Sequence, residues 1–106
     1  MAITPKQLAD GQLANSIGDL YTVPASTTGY VKKIILVNTG AGNNTVNLYV
    51  TPSGGTARKI ISEDTVLATG ESLEQTDLVL DTGDKIQGDA TNATEVDFTI
   101  YGAEET

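Results

Sequence analysis

Apolar and polar residues alternate over short stretches of this chain, and no stretch carries the spacing of a long amphipathic helix. Gly, Asn, Asp, Ser or Pro interrupts the alternation about every eight to twelve residues, as in all-β sandwiches and barrels. The cleanest run is Glu95-Val96-Asp97-Phe98-Thr99-Ile100-Tyr101. Val96, Phe98 and Ile100 share one face there, and Asp97, Thr99 and Tyr101 the other. Likewise Val46, Leu48 and Val50 oppose Asn47 and Tyr49. Further strands are predicted over 19–23, 30–38, 58–61, 65–68, 72–75, 78–80 and 85–88. About eight strands joined by such turns predict an all-β fold of two packed antiparallel sheets, a jelly-roll-like β-sandwich.

Two segments break this pattern. Thr4-Pro5-Lys6-Gln7 reads as a helix-capping box, with Thr4 as N-cap, Pro5 in the first turn and Gly11 as a stop. Such a helix has one or two turns and is marginal alone. Residues 1–15 are therefore predicted to form an N-terminal arm that needs a surface, with the sandwich spanning 16–106. The second break is Ile34-Ile35-Leu36-Val37, where in either register two side chains point away from the core. That pair, Ile35 and Val37 if the other two fill the core, implies that something covers the outer face of the sheet.

Composition narrows the chemistry. The 106 residues suffice for one small domain and include no Cys, His or Trp. Thiol nucleophiles, disulfides, Cys/His zinc sites and a histidine base are thereby excluded. Acidic residues number 14 against 6 basic, for a formal charge of −8, which argues against nucleic acid or an anionic membrane as partner. No apolar run approaches the ~18 residues needed to span a bilayer, and the N-terminal residues lack a signal-peptide pattern. Synthesis in a cytoplasm is the expectation.

The candidate motifs are weak. Asp81-Thr82-Gly83 after Leu78-Val79-Leu80 matches the triplet of retroviral-type aspartic proteases, yet too little chain follows it for the rest of that domain. A turn is the better reading. Asp81, Asp84 and Asp89, or Glu63 and Asp64, could supply oxygen ligands to Ca²⁺, but no EF-hand spacing is present, and a solvated acidic surface is favoured. Gly40-Ala41-Gly42 and Ser53-Gly54-Gly55 lack the Walker lysine and read as loops. No cofactor is predicted. Tyr30, Tyr49 and Tyr101 are candidate interface anchors, although tyrosine also suits ordinary cross-strand packing.

Several segments together resemble a widespread group of small structural proteins of tailed-bacteriophage virions. They are Leu20-Tyr21-Thr22-Val23-Pro24-Ala25, Val31-Lys32-Lys33-Ile34, Val37-Asn38-Thr39, Pro52-Ser53-Gly54-Gly55-Thr56 and Gly83-Asp84-Lys85-Ile86. The resemblance covers residues 20–101 and rests on strand and turn chemistry. By analogy with head-decoration (cement) proteins it implies a non-enzymatic capsid component, a homo-oligomer of the trimeric kind, bound to the major capsid protein or another virion protein. A tail or neck module is the alternative, and a carbohydrate-binding sandwich a weaker one. The interface candidates are Ile3, Leu8 and Leu13 in the arm, with Tyr30, Ile35, Val37, Tyr49 and Tyr101 in the sandwich.

Overall fold

The computed structural model describes residues 2–106, so Met1, the first residue of the expected arm, lies outside them. Nine strands follow in chain order: β1 (Ile3–Gln12), β2 (Gly18–Thr22), β3 (Thr28–Asn38), β4 (Asn44–Thr51), β5 (Arg58–Lys59), β6 (Thr65–Leu67), β7 (Ser72–Leu80), β8 (Lys85–Ala90) and β9 (Val96–Glu105). One sheet, here sheet A, runs β1-β9-β3-β7. The other, sheet B, runs β2-β8-β4-β5, with β6 also pairing β4. All the pairings are antiparallel. The chain crosses between the sheets at almost every step, which is jelly-roll connectivity, with β5 and β6 together filling one strand position.

Alternation explains the layers. Ile34 and Leu36 of β3, and Val96, Phe98 and Ile100 of β9, point inward from sheet A. They meet Val46 and Leu48 of β4 and Ile86 and Ala90 of β8. Each fully buried aliphatic side chain contributes about 1.5–3 kcal/mol. The two expected strands at 72–75 and 78–80 are one strand, β7, carried through Asp77 at φ 62°.

The capping-box helix does not form. Residues 3–12 are extended and pair along β9 from Ile3↔Glu105 to Gln12↔Asp97. A local capping signal is worth about a kilocalorie or two, whereas strand pairing satisfies a whole row of backbone groups. The expected boundary at residue 16 falls in the link between β1 and β2. Leu13, at the start of that link, is 1% exposed and sits between the sheets, 3.3 Å from where a Cβ on Gly88 would stand.

One end of the sandwich is closed by buried amides. Asn38 donates to the carbonyls of Gly42 and Leu67, both at 2.8 Å, and its own oxygen accepts from Gly40 N–H and Asn44. Asn44 in turn accepts from Asn92 N–H at 3.0 Å. No buried side-chain polar atom among the described residues lacks a partner.

Candidate interface on the outer face of one sheet

The outer faces of the two sheets differ in chemistry. On sheet B the outward positions are polar and bonded to one another, apart from Val66 of β6, which is 57% exposed beside Thr45. Thr51 donates to Gln87 at 2.5 Å, and Gln87 donates to Asp19 at 2.6 Å. Lys85 lies 3.2 Å from the same carboxylate. The Gln87 bond, then Lys85, hold Asp19 below the usual carboxylate range. Asn47 donates to both Asp64 and Asp89. Tyr49 donates to Asp89 at 2.8 Å, and the Lys59 ammonium stands 5.3 Å above its ring. Burial, followed by the Asp89 bond and the neighbouring carboxylates, pushes the Tyr49 phenol up to about 12. This face satisfies its own polar groups.

Sheet A presents something else. Pairing places Pro5, Ala103, Tyr30 and Val79 in one row across all four strands. Val79 is 68% exposed and Tyr101, on the next row, 45%. Farther along, Ile35 and Val37 point outward half-buried, because their neighbours Ile34 and Leu36 fill the core. Together Pro5, Tyr30, Lys32, Val79, Tyr101 and Ala103 line an open depression of ≈ 870 Å³.

The depression has a backbone cause. On β1, Leu8 is an extra residue opposite the Tyr101–Ile100 step of β9. On β3, Lys32 is an extra residue opposite the Gly102–Tyr101 step. Two bulges flanking the same part of β9 bend the sheet there. Gly102 permits the bend: a Cβ at this position would overlap the Tyr30 carbonyl oxygen and stand 3.1 Å from the Val31 Cα.

Glutamates fix the corner beside it. Tyr30 donates to Glu105 at 2.8 Å, which orients the ring, and that bond raises the phenol above its usual value. Glu104, on the opposite face of β9, accepts from Tyr21 at 2.6 Å and pairs with Lys6 at 3.0 Å. The Tyr21 bond, then Lys6, hold Glu104 below the usual carboxylate range.

The expected interface residues separate cleanly. Ile3, Tyr30, Ile35, Val37 and Tyr101 share the outer face of sheet A. Leu8 packs half-buried against the core, and Leu13 belongs to the core itself. Tyr49 lies on the opposite sheet within the polar network. Val79 was legible as the middle of Leu78-Val79-Leu80, whose outer members face inward, but Pro5 and Ala103 join the row only through pairing.

The acidic motifs have local roles. Asp81-Thr82-Gly83 forms the turn between β7 and β8, where Thr82 hydrogen-bonds both N–H and C=O of Thr27. Gly83 has φ 84°, which favours glycine. Asp84 accepts from the N–H groups of Ser53 and Asp81. Glu63 pairs with Lys59. Among the described residues no three carboxylates gather around one point.

No family model and no curated protein matches the chain. Solved structures do. A chain of Bacillus endospore appendages, a family of disulfide-linked pili, is 25% identical with a TM-score of 0.56, over 99% of this chain and 88% of that one. A chain from the acid-stable capsid of Helicobacter pylori bacteriophage KHP30 is 14% identical at TM-score 0.52, over 99% and 92%. A chain of the infectious bursal disease virus T13 particle is 12% identical at TM-score 0.50, over 97% of this chain but 29% of that longer one. The chain shares its fold with subunits of a pilus and of viral particles.

Proposed function

We infer that the chain is a non-enzymatic structural protein of a bacteriophage virion, and specifically a decoration or cement protein on the capsid surface. The contrast between the two outer faces carries this reading. A sheet that leaves Tyr30, Tyr101 and Val79 exposed around a depression is built to be covered, while its opposite, Val66 apart, is a polar network that suits water. The partner is the major capsid protein or another virion protein, and the copies act as a homotrimer. Several weak contacts then combine into one durable attachment. A charge of −8 keeps free copies apart until they meet a lattice. The fold shared with capsid chains supports a particle location.

Binding to undecorated capsids tests this. Val79→Ser combined with Tyr101→Ser should leave the melting curve nearly unchanged and weaken attachment at least ~10-fold, since each buried side chain is worth over a kilocalorie. Tyr49→Phe, on the other sheet, should bind as the parent does. Unchanged binding by the double variant would overturn the assignment of the face. Hundreds of copies per particle indicate a cement protein; a handful or a few tens would place it in the tail or neck.

A further inference from the structure

The two halves of β1 are held in different ways. The inner half is anchored by side chains: Leu8 and Ala9 pack on the core, Gly11 lies against the Phe98 ring, and Leu13 is buried beyond it. The Leu13 N–H also donates to the Val96 carbonyl at 2.9 Å. The outer half is different. Every residue from Ile3 to Gln7 is exposed, including Ile3 at 62%. Its ties are the backbone ladder to β9, the Lys6–Glu104 pair and the two hydrogen bonds between Ala2 and Thr106. The extra residue Leu8 separates the halves, so the ladder is already interrupted where a hinge would act.

We propose that residues 2–7 are an exchangeable strand, which leaves its own β9 and pairs with β9 of a second copy of this chain. The occupant follows from the edge left behind. Unpairing exposes those N–H and C=O groups of β9 between Tyr101 and Glu105 that point away from β3, together with Glu104 in need of its cation. An identical segment restores every one of these contacts, with Pro5 opposite Ala103 and Lys6 opposite Gly102. Little apolar surface changes hands, since the side chains of the outer half are exposed already. Exchange between neighbours therefore costs mainly the meeting of two copies, and a high local concentration favours it. This inference rests on the self-association in the reading above, but not on which face meets the capsid.

The absence of cysteine makes the test clean. Pro5→Cys and Ala103→Cys are placed on separate chains, which are mixed at high micromolar concentration and oxidised mildly. Facing positions on paired antiparallel strands lie within disulfide reach. A disulfide between the two chains can then form in register only if a strand has crossed. Asp10→Cys mixed with Thr99→Cys, a facing pair in the anchored half, reports random collision. Strand exchange predicts at least a tenfold excess of mixed dimer from the Pro5/Ala103 pair, and the same excess from Ile3→Cys with Glu105→Cys. Equal yields from the outer and inner pairs would overturn it. So would a chain carrying both Pro5→Cys and Ala103→Cys that closes only on itself at every concentration. Either result leaves the capsid-binding measurement unaffected, so the two readings fail separately.

Discussion

Gly102→Ala should be among the most damaging single-methyl additions available to this chain. The added Cβ would overlap the Tyr30 carbonyl oxygen, 2.9 Å from the carbonyl carbon, and these are backbone atoms that cannot rotate aside. Overpacking against adjustable side chains costs about 1–3 kcal/mol. Here β3 must shift against β9 where its bulge is registered, so the upper end, about 3 kcal/mol, is expected. A domain this small holds roughly 5–15 kcal/mol in total. The melting temperature should fall by about 10–20 °C, read by circular dichroism and checked by urea unfolding. Gly42→Ala is the control: nothing lies within 4 Å of its Cβ, so the change should be neutral or stabilising by up to about 1 kcal/mol. A Gly102→Ala protein that melts with its parent would refute this clash. Under the proposed cement function, attachment to capsids should fall too, because the same bend shapes the depression.

Leu13→Ala should cost about 2–5 kcal/mol in thermal unfolding, as for other buried leucines. Truncation should therefore divide sharply: loss of residues 2–7 keeps cooperative melting, and loss of residues 2–15 does not. Asn38→Ala leaves the Gly42 and Leu67 carbonyls and the Gly40 N–H without their partner and takes one of the two acceptors from the Asn44 amide, for about 2–4 kcal/mol in urea unfolding. Glu104 titrates below its unfolded value, so its stabilising contribution is complete at neutral pH and is lost as pH falls through the carboxylate range. Glu104→Gln should lower stability at pH 7 and flatten the acid limb of a melting-temperature profile; an unaltered profile would show that Lys6 and Tyr21 contribute nothing there.

Most strands were legible because their information is local. Val46, Leu48 and Val50 alternate with polar partners, and the same rule exposes Ile35 and Val37 once Ile34 and Leu36 take the core. Strand β1 was not legible. Thr4-Pro5-Lys6-Gln7 carries a helical signal, and what overrides it is a row of partners some 90–100 positions away. The candidate face was half legible for the same reason. Tyr30 and Tyr101 announce themselves by residue type, whereas Pro5 and Ala103 are ordinary residues that cross-strand pairing brings beside them. Leu13 misleads in the opposite direction, since a leucine among polar neighbours reads as an anchor for a partner and serves instead as a wedge between the sheets.

The ladder between β1 and β9 also has a kinetic consequence. It joins Ala2 to Thr106 by reciprocal hydrogen bonds of 3.1 and 2.9 Å, closing nearly the whole chain into a ring. Contacts of such sequence separation form late, because the entropy of loop closure precedes any gain from pairing. A circular permutant that links residue 106 to residue 2 and opens the exposed Gly54-Gly55 turn would make β9 and β1 neighbours in a hairpin. It should reach the same sandwich faster than the parent, with the order of assembly of sheet A reversed: the pair that closes last in the natural connectivity would form first.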